Sequence, residues 1–218
     1  MKFEAVLFDF DGTLADSNDL INRSHLSVLE EYFPGVYTVD SVRKFNGPSL
    51  DEVYGTLNWE EKDTMITKYR TYNALYHDEM IRLFDGVAEQ LRVLKDQGVQ
   101  LAVVSTKRND VLWKGIRLLG LEGMFDVVIG GEDYTHYKPH PEPIYRAMAE
   151  LNCLHEKTMM VGDNFHDIEA AKNAGVAGVF VGWSQKTREE IAPYEPDYIV
   201  ETMEELTNLV LAPSTVMQ

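Results

Sequence analysis

The chain has 218 residues, a formal net charge of −16, 44% hydrophobic residues and one cysteine. That hydrophobic share can fill a globular core, and the length suits one large domain or a core carrying an insert. So acidic a chain repels nucleic acid and anionic membrane surfaces, and no apolar run approaches the roughly 20 residues of a membrane span. The expected partner is therefore a small molecule, with no nucleic acid and no membrane. The lone Cys153 excludes an intrachain disulfide and a Cys-based zinc site, and reads as a small packing residue. Met1-Lys2-Phe3-Glu4 leads straight into an apolar run with no secretory pattern, so a cytoplasmic location is expected.

Residues 3–9 predict a buried strand that ends in Asp9-Phe10-Asp11-Gly12-Thr13. Two acids crowded at a strand end repel each other unless a cation or a proton offsets the charge, and the ends of parallel strands are where open α/β sheets place their chemistry. The plain alternative is a turn in which Asp caps a helix. Residues 16–82 read as helical, with no strand evident. Leu20, Ile21, Val28, Leu29 and Tyr32 give one apolar face, ended by Pro34-Gly35. A short helix is predicted over Ser49 to Leu57. A longer one spans Trp59 to Ile81, where Met65, Ile66, Tyr69, Tyr72, Leu75 and Tyr76 are partly periodic. The pattern then alternates: helix 87–97, strand 99–104, helix 110–119, strand 126–129, helix 141–152, strand 158–161, helix 165–174 and strand 176–181. Short elements near 185–192, 197–200 and 202–211 follow, and Ala212-Pro213-Ser214 opens a loose tail. The predicted fold is α/β: a Rossmann-like parallel sheet with helices on both faces, formed by residues 1–15 and 83–218. An α-helical cap at 16–82 is inserted, placed to act as a lid over the acidic strand end.

Three further polar clusters follow predicted strands, Lys138-Pro139 after an intervening Gly-Gly loop. Ser105-Thr106-Lys107 offers a hydroxyl and backbone N–H groups suited to phosphate oxygens, or a plain helix cap. Lys138-Pro139 offers a compact positive charge suited to a phosphoryl group, although most single lysines are merely solvated. Gly162-Asp163-Asn164-Phe165-His166-Asp167 places two acids at i and i+4 at a helix start, where capping and the helix dipole are the alternative. A phosphate substrate would need the field of this acidic chain reversed locally, and a metal with Lys107, Arg108 and Lys138 would do so.

In order, preceding apolar runs and spacing, these residues resemble the four motifs of the haloacid dehalogenase (HAD) superfamily, over essentially the whole chain. The resemblance implies that Asp9 is the nucleophile that becomes an aspartyl phosphate, and that Asp11 is the general acid and then the general base. It implies that Ser105 binds the transferring phosphoryl group and Lys138 neutralises charge on it and on Asp9. Mg²⁺ would be held by Asp9, the carbonyl of Asp11 and Asp163, with Asp167 a variable or outer partner. Dehalogenases of the superfamily lack an acid at the second position, so Asp11 favours a phosphatase or phosphomutase.

The insert resembles the small helical cap of the phosphoglycolate phosphatase group, and within it the bacterial inorganic pyrophosphatase branch. The matching residues are Phe45-Asn46-Gly47-Pro48, Tyr69-Arg70-x-Tyr72-Asn73 and His77-Asp78-Glu79. The implied reaction is Mg²⁺-dependent hydrolysis of pyrophosphate or 2-phosphoglycolate. Gly47, Arg70, His77, Thr106 and Lys107 are the candidates to bind the substrate, chiefly its second anionic end. Arg70 and His77 read equally as part of a solvated helix face, Gly47-Pro48 as a turn, and Lys107 as a helix start. A β-phosphoglucomutase-like phosphosugar mutase shares the motifs and cap type. An idle binding module on the same fold is the other alternative, against which the intact Asp9, Asp11, Lys138 and Asp163 weigh. A monomer or weak homodimer is expected. His166 reads as an outer partner or surface residue, and Trp113 and Trp183 receive no chemical role.

Overall fold

Ala5-Val6-Leu7-Phe8 buries every side chain, as a strand covered on both faces must. In the computed structural model, which describes residues 1–213, this segment is β1 (Ala5–Phe8). The other strands are β2 (Ala15–Asp16), β3 (Arg82–Leu83), β4 (Gln100–Val104), β5 (Val127–Ile129), β6 (Thr158–Gly162), β7 (Ala177–Val181) and β8 (Tyr198–Val200). The helices are α1 (Asn18–Tyr32), α2 (Leu50–Leu57), α3 (Lys62–Met80), α4 (Val87–Asp96), α5 (Asn109–Leu118), α6 (Glu142–Leu151), α7 (Phe165–Ala174), α8 (Arg188–Ile191) and α9 (Met203–Leu211). Of the expected tail, Ser214 onward lies outside the described residues.

The chain divides into two compact units, Met1–Ala15 with Leu83 onward, and Asp16–Arg82. The larger unit holds a six-stranded sheet in the order β5-β4-β1-β6-β7-β8, and its strand pairs are parallel. It is the α/β Rossmann-like architecture read from the alternating pattern. Alternate residues along each strand face opposite layers. Val6, Phe8, Val103 and Val161 pack with α4, α5 and α9 through Leu91, Ile116 and Leu206. Ala5, Leu7, Ala102 and Met160 pack with α6 and α7 through Ile144, Met148 and Ala170. Strand order runs outward from β1 to β5, then returns to the other side of β1 at β6. The carboxyl ends of β4, β1 and β6 therefore border the crevice at this switch point, where such sheets bind ligands.

The smaller unit is built on α1, α2 and α3 around Val28, Leu29, Val53, Tyr54, Met65, Ile66 and Tyr69. His25 lies inside it, with Nδ1 3.0 Å from the Tyr54 hydroxyl and its ring against Phe45, Tyr54 and Tyr69. Burial pushes its pKa down to about 3. Two expectations need correction here. The region is not free of strand: Asp16 and Arg82 belong to the two-residue strands β2 and β3, which pair with each other and are too short for an alternation signal. The long helix begins at Lys62 rather than at Trp59, because the Asn58 side chain accepts the Glu61 N–H and turns the chain first.

Candidate active site

Asp9, Ser105 and Asp163 are the residues next after β1, β4 and β6. Phe8 is in register with Val103 on one side and Val161 on the other, so these three polar residues leave the sheet along one edge. The Asp9 N–H still donates to the Val161 carbonyl at 2.9 Å, and the Ser105 N–H to Ile129 at 2.9 Å, so the ladder fixes where both residues emerge. Beyond Asp9 the chain doubles back at once: Leu14 and Ala15 both donate to the Phe10 carbonyl. Gly12 makes that turn at φ 81°, and a Cβ there would run into the Asp163 carboxylate. Both the left-handed backbone and the close approach call for glycine.

Lys138 ties the acids together. Its buried Nζ donates to Asp9 Oδ1 at 2.8 Å, Asp167 Oδ1 at 2.6 Å and the Val104 carbonyl at 3.1 Å. Burial opposes the charged ammonium, but the attraction of Asp167 and Asp9 and their hydrogen bonds overcome it and raise the Lys138 pKa above the ordinary lysine value. Asp167 reaches back with its other oxygen to the Asn164 N–H at 3.2 Å, closing the capping box at the start of α7. Both Asp167 oxygens are thus engaged. Asp9, Asp163 and Asp167 bring carboxylate oxygens within 4.8 Å of one another. Burial pushes the Asp9 pKa up to about 7, with Lys138 pulling it down and Asp167 adding to the rise. Burial, then Asp9 and Asp167, raise that of Asp163 well above the usual carboxylate range. One lysine does not offset this much buried negative charge, so a further cation fits. The donors are all oxygens, the set preferred by a hard divalent ion.

Asp11 stands apart from this cluster. Lys107 Nζ donates to both of its carboxylate oxygens at 2.9 Å. Lys107 is also held at its backbone, where its carbonyl accepts the Gly131 N–H at 2.8 Å and its N–H lies 3.2 Å from Ser105 Oγ. Thr106 is half-buried between Ser105 and Lys107.

Asp9, Asp11, Ser105, Thr106, Lys107, Lys138, Asp163 and Asp167 all belong to the larger unit, whereas Gly47, Arg70 and His77 belong to the smaller one. There, Gly47 is exposed at φ 111° and Arg70 is exposed on α3. His77 departs from the solvated face expected for it: it is 1% exposed, and its Nδ1 lies 2.9 Å from Asp78. The buried side of α3 continues through polar positions, Asn73 and His77, while Leu75 stays 69% exposed. His166 is likewise buried rather than on the surface. It bonds the Asn164 side chain at 2.9 Å, and burial pushes its pKa down to about 4.

Three supporting residues escape sequence reasoning. Trp183 Nε1 donates to the Thr13 carbonyl at 3.0 Å, Ser184 Oγ to the Asp163 carbonyl at 2.6 Å, and the Tyr134 hydroxyl to the Ser105 carbonyl at 2.9 Å. Each braces the backbone of a residue at the site. A tryptophan just after a strand was the one available signal.

The model of the haloacid dehalogenase-like hydrolases matches residues 6–181, from β1 through β7. The chain belongs to this family. A pyrophosphatase PpaX of Bacillus velezensis is 42% identical over 208 residues, covering 95% of this chain and 96% of that protein. The crystal structure of a protein designated a haloacid dehalogenase-like hydrolase, from Bacteroides fragilis, superposes with a TM-score of 0.88 at 32% identity, covering 94% of this chain and all of that one. That of a predicted phosphoglycolate phosphatase from Haemophilus somnus gives 0.82 at 26% identity, covering 96% and 98%. The chain is accordingly an enzyme, a phosphatase of the haloacid dehalogenase-like family. No helix among the described residues is long and apolar enough to cross a membrane.

Proposed function

We propose that this phosphatase hydrolyses a small, doubly anionic phosphate compound, pyrophosphate first and 2-phosphoglycolate second, through a phosphorylated Asp9. The observation that carries the reading is the buried Asp9 carboxylate, held by Lys138 on one oxygen, beside the second buried acid, Asp163. The identity to a pyrophosphatase over nearly the whole chain favours pyrophosphate over the other substrates.

Lys138 fixes the orientation of Asp9, and its bond to Oδ1 leaves the second oxygen to attack phosphorus. As that bond forms, the bond from phosphorus to the leaving oxygen breaks, and Asp11 gives the leaving group its proton. Water then attacks the phosphorus of the aspartyl phosphate, Asp11 takes the water's proton, and inorganic phosphate leaves with Asp9 regenerated. Ser105 and the Thr106 N–H hold the phosphoryl oxygens while Lys138 neutralises their charge. Asp9, Asp163 and the main chain of Asp11 are the groups that would hold Mg²⁺, with Asp167 an outer partner. When bound, Mg²⁺ supplies charge neutralisation and orientation of the phosphate. Gly47, Arg70, His77 and Lys107 are assigned to the second anionic end, and residues 16–82 to a cap that selects for size.

The test is phosphate release by the purified protein from pyrophosphate, phosphoglycolate, hexose phosphates, nucleotides and p-nitrophenyl phosphate, with Asp9→Asn as control. Chelation should silence turnover and Mg²⁺ should restore it, and Asp163→Ala should sharply raise the Mg²⁺ requirement. Higher kcat/KM on a hexose phosphate than on pyrophosphate would overturn the substrate assignment. Full activity of Asp9→Asn, with deamidation excluded, would overturn the covalent route.

A further inference from the structure

The segment that carries Lys138 also carries a second group of ligating side chains with a different chemical character. His136, His140 and Glu142 bring imidazole nitrogens and a carboxylate oxygen within 4.8 Å of one another. We propose that these three residues form a binding site for a borderline divalent transition ion of the Zn²⁺ or Cu²⁺ class, separate from the aspartate cluster. The two imidazole rings are exposed, and their centroids lie 4.6 Å apart at 32°, so an ion can reach both from solvent. Glu142, the first residue of α6, is already clamped. One of its oxygens accepts the Thr135 N–H at 3.0 Å, and the other lies 3.0 Å from the His136 N–H and 2.7 Å from His136 Nδ1. His140 Nδ1 accepts the Glu142 N–H at 3.2 Å, a long bond that costs little to exchange for a metal.

Ligand type separates this group from the acids around Asp9. Two imidazoles with one carboxylate suit zinc and copper, whereas an all-oxygen set suits magnesium. Tetrahedral zinc bonds of about 2.0–2.2 Å place neighbouring ligand atoms roughly 3.4 Å apart, a separation that lies between the 2.7 Å of His136 Nδ1 from Glu142 and the 4.8 Å that bounds the three donors. The three donors come from one seven-residue segment, with Pro139 and Pro141 between them, so little chain entropy remains to be lost on binding. Lys138 lies between His136 and His140 in sequence, so an ion held by both would clip the two ends of the segment that presents it.

The experiment uses the whole chain in saturating Mg²⁺. Zn²⁺ is titrated in competition with a colorimetric chelator, and Cu²⁺ is read by electron paramagnetic resonance. One ion per chain is expected, with hyperfine structure from two imidazole nitrogens. The variant His136→Gln/His140→Gln should bind about tenfold or more weakly and lose that signature while keeping its Mg²⁺-supported turnover. Asp163→Asn, which alters only the aspartate cluster, should retain both affinity and signature. Equal affinity in the histidine variant, an oxygen-only signal, or loss of binding in Asp163→Asn would each overturn the site.

Discussion

Lys107 and Lys138 divide the two acids of the first motif between them: Lys107 grips both oxygens of Asp11 at 2.9 Å, and Lys138 holds Asp9 at 2.8 Å. The two pairs differ in what can replace them. Lys138 is buried and shared with Asp167, whereas Lys107 is half-buried with its Nζ on Asp11. A substrate with an anionic leaving group can compete for Lys107 and free Asp11 to reach the leaving oxygen. Charge-assisted contacts of this kind contribute about 1.5–3 kcal/mol. Lys107→Ala is therefore expected to lower kcat/KM for pyrophosphate by about 10–100-fold. Hydrolysis of p-nitrophenyl phosphate, which lacks the second anion, should fall much less, and Lys107→Arg should recover part of the loss. Equal losses on both substrates would separate Lys107 from substrate choice.

Asp11→Asn removes the group we propose to protonate the leaving oxygen and later to deprotonate water. Each role is expected to contribute about 10²–10⁴-fold. A leaving group that departs as a stable anion needs no proton, so p-nitrophenyl phosphate should rescue the first half-reaction in this variant. A burst of p-nitrophenol followed by slow turnover is the expected trace. A trace without the burst would give Asp11 a different role.

Trp183→Phe tests bracing of the first motif from behind. The indole donates to the Thr13 carbonyl within the turn that places Asp11, and its ring lies 6.2 Å from Phe84. Phenylalanine keeps most of the packing and loses the hydrogen bond, at a cost of about 1 kcal/mol in stability. Turnover should fall several-fold with KM little changed, because the turn loosens without removing a substrate contact. A variant matching the original protein in both melting temperature and kcat would show that the bond does not brace the turn.

The Trp183 case shows why the strand ends were legible in the sequence and their supports were not. Asp9, Ser105 and Asp163 each come next after a strand, so the pattern that predicts the strand also points to the residue after it, while Lys138 stands out by the proline that follows it beyond the Gly130-Gly131 loop. The bonds from Trp183, Ser184 and Tyr134 run to backbone carbonyls far away in sequence, and any residue type can supply a carbonyl. The smaller unit was harder to read because polar residues occupy its interior. Ser24, His25, Asn73 and His77 are buried there, which blurs the apolar period of α1 and α3. Asn73 bonds Ser24 at 3.3 Å and His25 bonds Tyr54, and such pairing between helices leaves no trace in either helix alone.

The buried carboxylates also set a pH dependence whose sign can be worked out. Asp9 has a pKa of about 7 in the folded protein against 3.8 for the free side chain, chiefly through burial. Between those values the folded state binds more protons than the unfolded state, so stability falls as pH rises, and the loss is complete above pH 7. Asp163 shifts in the same direction. His25 and His166 act oppositely: their folded values of about 3 and about 4 cause stability to fall as pH drops below the ordinary histidine value. Comparing Asp9→Asn with the original protein cancels the histidine contribution and reads Asp9 together with the part of the Asp163 and Lys138 shifts that Asp9 causes. In chelator, the variant should melt at nearly the same temperature as the original at pH 4 and clearly higher at pH 8. Each tenfold change in proton affinity corresponds to roughly 1.4 kcal/mol, so the gap at pH 8 is on the order of a few kcal/mol. If Asp9 helps to hold Mg²⁺ as proposed, the ion should narrow it by stabilising the original protein more than the amide variant. A gap independent of pH would mean that burial does not strain Asp9, and a pH-dependent gap that Mg²⁺ leaves untouched would mean that the metal does not relieve it.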